Sequence, residues 1–203
     1  MNFTARDITY TAVFTAAACI TGLLLKIAPA SVVPFSFLPL IAMLAGGLLG
    51  SRLGALSMSL YMILGLAGIP VFSAPPFGGL AYVFQPTFGF IIGFIFCAYV
   101  VGKILERNSD SSYIRYAAAM IAGLCALYTV GLSYLYVILH LYLGKTLGFM
   151  DLLVIGFLPF ILFDFAKALI AVSITRTVIK RLKTSPLGNY RRISGNSQDD
   201  GLY

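Results

Sequence analysis

Asp164 and Lys167 are the residues of this chain whose types and spacing could do chemistry. They stand inside an apolar run, Phe160 to Thr177, FILFDFAKALIAVSITRT. A charge in the middle of a bilayer segment costs about 2.5–3.5 kcal/mol on insertion scales. A sequence keeps such groups if they pair, bind something, or both. The i to i+3 spacing puts both side chains on one helix face, one turn apart. A carboxylate accepts N–H groups, and an ammonium donates to a carbonyl or carboxylate. The pair therefore points to a buried pocket for a polar, uncharged ring system. An ion pair holding two helices in register is the structural alternative. Two charges one turn apart on the same helix cross-link nothing by themselves, which favours a ligand. A membrane enzyme using the two as acid and base is a further reading. It predicts turnover, where a binding protein predicts stoichiometric capture.

Other candidate chemistry falls away. Gly144-Lys145-Thr146 resembles the end of a phosphate-binding loop, but the leading glycine should be at 139, which is Leu139. No other nucleotide motif is present, so ATP hydrolysis by this chain is not expected. His140 is the single histidine, too few for a multi-His metal site or a simple Ser–His dyad. It reads as an interfacial residue. Neither a metal site nor a cofactor is expected, and no ring of charges suggests a channel.

The elements that must position the pair are membrane helices. Of 203 residues, 60% are hydrophobic and only 10% charged, whereas soluble domains carry about 25% charged residues. Several apolar stretches of roughly 20 residues make helices the spanning element. The first is long and lacks a clear small-residue cleavage motif, so a signal peptide is not expected. The net charge of +7 reflects topology rather than nucleic-acid binding, because the basic residues lie between apolar segments and in the tail. Cys19, Cys97 and Cys125 lie in apolar segments without paired spacing and read as packing residues.

The fold expected is an all-α integral membrane protein of six transmembrane helices. The spans are about Ile8–Leu25, Phe35–Leu49, Leu53–Gly68, Phe88–Ile104, Tyr116–Leu141 and Phe160–Val178. Leu152–Leu158 is also apolar, but Gly156 interrupts it and Pro159 follows it. Proline breaks the helical ladder upstream, so this piece is expected as a short separate helix or a re-entrant piece, with the sixth span beginning after Pro159. Asp164 then lies in the outer third of the membrane. With six spans the termini share a side. That side collects eleven Lys and Arg residues against Lys26 and Lys145 on the other, Lys167 set aside, which puts both termini in the cytoplasm. Residues 1–183 form the membrane domain. Residues 184–203 are polar and are expected as a disordered cytoplasmic tail.

The longest outer connection is Pro70 to Thr87, PVFSAPPFGGLAYVFQPT. It has no charge, four prolines and the Gly78-Gly79 pair. Gly and Pro fix specific turns, and Phe77, Tyr82 and Phe84 need somewhere to pack. A lid over the outer mouth of the bundle is the reading, rather than a loop lying on headgroups. Small residues recur at four-residue spacing: Ala12 and Ala16, Gly50 and Gly54, Gly89 and Gly93. Such pairs allow close helix approach. In the first span the small face, widened by Ala17 and Ala18, is broad enough to receive a partner helix.

Three segments together resemble the BioY family, the biotin-specific substrate-binding (S) components of energy-coupling factor (ECF) transporters. They are LLGSRLGALSMSLYMILGLAGIPVFS, Leu48 to Ser73; GGLAYVFQPTFGFIIGF, Gly78 to Phe94; and the D-x-x-K of Asp164 and Lys167 followed by Ala168. The likeness covers nearly all of Ile8–Arg181. It implies that biotin is captured from outside and delivered inward, with ATP hydrolysis on partner subunits. It implies that Asp164 and Lys167 contact biotin's polar groups, and that Gly78, Gly79, Tyr82, Pro86 and Thr87 form lid and pocket wall, with Gln85 adding polarity. It further implies a membrane coupling protein (EcfT-like) and two cytoplasmic ATPases (EcfA-like), with Ala12 and Ala16 on the coupling surface. An S component for a different vitamin is the neighbouring alternative.

Overall fold

The structure is a computed structural model, and it describes residues 4–27, 36–106, 112–142 and 148–184. The described residues form helices and turns without strands. Helix α1 is Ala5–Ile27, α2 Leu38–Leu49, α3 Ser51–Leu66, α4 Phe88–Glu106, α5 Tyr113–Val137, α6 Phe149–Gly156 and α7 Leu158–Thr184. A 3₁₀ turn, Leu80–Phe84, lies between α3 and α4, and a π turn, Ile138–Tyr142, continues α5.

Among the described residues, four helices are long and apolar enough to cross a membrane: Ala5–Leu25, Phe88–Glu106, Tyr113–Tyr142 and Leu158–Arg181. Helix α2 coincides with the second expected span but starts later, at 12 residues, and α3 has the length of the third, 16 residues, set two residues earlier. At 1.5 Å per residue they reach roughly 18 and 24 Å, against a hydrocarbon core of about 30 Å.

Local chemistry explains the boundaries. Thr4 and Asp7 form a reciprocal box at the start of α1: the Asp7 N–H donates to Thr4 Oγ1 at 3.2 Å, and the Thr4 N–H to Asp7 Oδ2 at 3.1 Å. Gly50 alone separates α2 from α3, with φ 88°, a left-handed conformation that glycine adopts without steric penalty. Gly54 lies so close to Gly46 of α2 that a Cβ there would meet Gly46 backbone at 2.8 Å. Glu106 at the end of α4 accepts from the Ser51 N–H at 2.7 Å and the Ser51 hydroxyl at 2.8 Å, capping α3 from another helix. The break between α6 and α7 falls at Phe157, and α7 starts at Leu158 with Pro159 in its first turn, where its missing N–H costs nothing. The apolar piece before the last span is thus a short helix, set three residues earlier than expected at its start, and α7 begins just before Pro159 rather than after it.

The core runs through the middle of the bundle, where α2, α3, α4, α5 and α7 bury Ala42, Met43, Met58, Tyr61, Cys97, Val101, Met120, Leu127 and Val172. Gly89 and Gly93 of α4 take Tyr134 and Leu127 of α5 against their backbone, the close approach their spacing predicted. The alanine face of α1 is narrower than expected. Ala12 and Ala16 are exposed, but Ala18 is buried in the core, because residues two apart on a helix lie on opposite sides.

Candidate functional site

The site is built on α7. Starting the helix at Leu158 sets Asp164 about six residues, or roughly 9 Å, from its first turn. The i, i+3 relation turns Asp164 and Lys167 inward together, leaving them 4% and 6% exposed. Lys167 Nζ donates to Asp164 Oδ1 at 2.7 Å. The other carboxylate oxygen, Oδ2, accepts from the Tyr128 hydroxyl of α5 at 2.6 Å. Both oxygens of a buried charge are therefore satisfied by short, charge-assisted bonds. The Tyr128 ring is held edge-on between Phe90 of α4, at 6.3 Å between centroids, and Phe157 at the α6–α7 break, at 4.9 Å.

These groups line a cavity of about 130 Å³. Its walls are Leu38 and Pro39 of α2, Tyr61 of α3, Phe90, Ile91 and Phe94 of α4, Leu127 of α5 and Phe160 of α7. Ser36, Ser73, Tyr82 and Thr87 also face it. The lining thus combines a charged pair and several hydroxyls with aromatic and aliphatic walls. Such a space holds a compact ligand with a polar head and an apolar body. Among the described residues, no cluster of His, Cys, Asp and Glu could hold a metal ion.

The connection from α3 to α4 folds over α1, α3 and α5. Phe72 and Tyr82 are buried and packed on each other, ring centroids 4.3 Å apart, and Phe72 meets Tyr61 edge-on at 5.6 Å. The Gly79 N–H donates to Gly65 O at 2.7 Å. The Tyr61 hydroxyl donates to Val71 O at 3.3 Å, and the Tyr134 hydroxyl of α5 to Val83 O. Phe84 stacks on Tyr142 at 5.0 Å. Val71 O lies against Gly22 of α1, where a Cβ would meet it at 1.8 Å.

Of the residues expected at the site, Asp164, Lys167, Tyr82 and Thr87 line the cavity together. The Tyr82 and Thr87 hydroxyls lie 3.2 Å apart. Gly78, Gly79, Gln85 and Pro86 lie outside its lining and shape the connection instead. Gly78 sits where a Cβ would be 2.6 Å from Ile69 O, and Gly79 has φ 89°. Gln85 Nε2 donates to Pro75 O at 2.8 Å, tying one arm of the connection to the other. Ala12 and Ala16 are remote, on the exposed side of α1 beside Ile8, Val13 and Ile20. The Gly144-Lys145-Thr146 triplet lies outside the described residues, and His140 packs on Tyr136.

Sequence reasoning missed Tyr128. It carries no charge to mark it, and it is 36 residues from Asp164. The available signal was partial: a buried carboxylate with one cation still needs donors, but Tyr128 is one of several hydroxyl-bearing residues in α5 and nothing in the sequence singles it out. Ser36, Ser73 and Tyr61 went unnoticed for the same reason.

Comparison with known proteins agrees with this architecture. The BioY family model matches residues 1–184. The chain is 35% identical over 170 residues to a probable biotin transporter BioY of Lysinibacillus sphaericus, covering 84% of this chain and 85% of that one. It is 36% identical over 182 residues to the biotin transporter BioY of Rhizobium etli, covering 86% and 93%. The crystal structure of the S-component for biotin from an ECF-type ABC transporter superposes with a TM-score of 0.70 at 26% identity, covering 88% of this chain and 95% of that one. With a match that spans the helical bundle from the first residue to the end of α7, and with Asp164 and Lys167 inside it, this chain belongs to the BioY family.

Proposed function

We propose that this chain is the biotin-binding S component of an ECF-type ABC uptake transporter in the cell membrane. It captures biotin from outside and delivers it inward while partner subunits hydrolyse ATP. Members of the family are transporter components rather than enzymes, and no bond-making step falls to this chain. The observation that carries the reading is the Lys167–Asp164–Tyr128 array in a cavity whose other walls are mostly aromatic and aliphatic. Biotin's ureido ring offers N–H donors and a carbonyl. Asp164 has acceptor capacity left beyond its two bonds, and Lys167 has N–H groups left beyond its one. In a dry pocket each unmade polar bond is costly, so the match of donors to acceptors selects the ligand. The thiophane ring and valeryl chain suit the Phe90, Phe94, Leu127 and Phe160 walls.

The finer topology belongs to the same proposal. Six helices cross the membrane, α2 and α3 as a short hairpin, with both termini cytoplasmic. The α3–α4 connection is the outer lid. Tyr82 and Thr87 are its contacts to the ligand, while Gly78, Gly79, Gln85 and Pro86 set its shape. The exposed Ala12 and Ala16 dock the membrane coupling protein, which carries two cytoplasmic ATPases.

Titration calorimetry of the purified protein with biotin, beside Asp164→Asn, tests the reading. Tight binding by the wild type and at least a hundredfold weakening in the variant is the expected result. Tight binding untouched by the substitution moves the site to the lid. Absence of binding by well-folded wild type sinks biotin as the ligand.

A further inference from the structure

The polar groups that line the cavity are sorted by depth. Thr175 of α7 sits against Gly47 near the end of α2, where a Cβ on Gly47 would meet Thr175 Cγ2 at 2.8 Å. Helix α7 therefore runs with α2 and starts at the same end of the bundle, the end that carries the α3–α4 connection. Asp164 and Lys167 lie six and nine residues into α7, roughly 9 and 14 Å from that end. The hydroxyls of the lining stay at the end itself: Ser36 before α2, Ser73 and Tyr82 in the connection, Thr87 just before α4. Exposure agrees, the ring of Tyr82 apart. Asp164 and Lys167 are buried, Ser36 and Ser73 half-buried, and Thr87 exposed. The charged pair is the floor of the cavity and the hydroxyls are its mouth. Phe90 and Phe160, each two residues into its helix, lie between the two levels.

The mouth holds O–H donors to spare. Ser36 Oγ accepts from the Leu38 N–H at 3.3 Å, which leaves its own proton to give. Among the described residues, the Ser73 hydroxyl has no hydrogen-bond partner. The Tyr82 and Thr87 hydroxyls lie 3.2 Å apart, so one donates to the other and the second proton is left over. Lys167, the cation among the described lining residues, is bonded to Asp164 on the floor.

We propose that the hydroxyls of Ser36, Ser73 and Thr87 hold the ligand's carboxylate at the mouth, so that an anionic tail is recognised by neutral donors while its ring lies on the floor. This rests on the reading of the cavity as a biotin site and adds the direction in which biotin lies. A carboxylate accepts on both oxygens and meets several O–H donors at once, and such charge-assisted bonds are stronger than neutral ones. A fully buried carboxylate would need a cation, but one at a half-exposed mouth keeps part of its water. The valeryl chain then runs past Phe90 and Phe160, between the two polar levels.

The test compares biotin with biotinol, in which a CH₂OH group replaces the carboxylate. Both affinities are read by calorimetry on wild type, Ser73→Ala, Thr87→Val and the triple variant Ser36→Ala/Ser73→Ala/Thr87→Val, with thermal melting in detergent as the folding check. The wild type is expected to prefer biotin about a hundredfold, each single variant to lower that preference about fivefold, and the triple variant to bring it to about threefold or less. Loss of general pocket shape would weaken both ligands by one common factor and keep the preference, and that result overturns the proposal. So does equal binding of the two ligands by the wild type, a result that needs no variant to fold. If the wild type binds neither ligand, the biotin reading fails and the inference falls with it. Tight biotin binding with a preference untouched in the triple variant sinks the inference alone.

Discussion

Breaking a buried ion pair from one side leaves the other charge uncompensated, at a cost of about 3–5 kcal/mol, whereas replacing both charges by neutral groups is often close to neutral. Asp164 and Lys167 are buried to within a few per cent of their surface, so this asymmetry applies. Lys167→Met is expected to lower the melting temperature in detergent and to cost biotin affinity at least a hundredfold. Adding Asp164→Asn to it restores the melting temperature but not the binding. Equal melting of the single and double variants would contradict an ionised, mutually compensated pair. At this scale the sequence was half legible. A carboxylate and an ammonium in an apolar run announce themselves because each is costly there. Tyr128 does not, since a tyrosine in a membrane helix is common and cheap, and its partnership exists only once α5 is packed on α7.

Among the elements, the α3–α4 connection depends on a glycine the sequence did not single out. Gly65 leaves room for the Phe72 ring, and a Cβ there would stand 2.1 Å from Phe72 Cζ. Phe72 is fully buried and has little freedom to give way. Gly65→Ala is expected to cost about 1–3 kcal/mol of stability, the usual range for overpacking. It should also weaken biotin binding about tenfold, because the displaced ring pushes on Tyr82, which lines the cavity. Melting and calorimetry on the same sample check both parts, and binding that stays at wild-type strength would mean that the stack does not support the site. The sixth apolar run shows what the sequence conveys about elements. Its start was readable because proline has a fixed place at a helix N-terminus. Its end was not. Helix α7 continues to Thr184, past the basic residues from Arg176 onward, because apolarity reports where a helix leaves lipid and not where it stops. The π turn after Val137 has no sequence signature at all.

On the scale of the whole molecule, the proposed binding and coupling surfaces are separate. The cavity is lined mainly by α2, α3, α4, α5 and α7, while Ala12 and Ala16 are exposed on α1 and do not line it. Ala16→Trp is therefore expected to leave biotin affinity and melting unchanged while blocking co-purification with the coupling protein. An intact complex would remove the alanine face from the proposed interface. Composition made the helical membrane class plain, but the start of α2 was hidden by apolar residues that precede it, and the register of α3 was set by Gly50 rather than by apolarity. The pairing of Lys167 with Asp164 has a last consequence, in electrical terms. A lone charge carried across a membrane couples to the potential by about 2.3 kcal/mol per 100 mV. The two opposite charges sit 2.7 Å apart and sum to zero. Any movement of this site along the membrane normal therefore does no net electrical work on the protein's own charges, and voltage acts only on whatever charge the ligand brings.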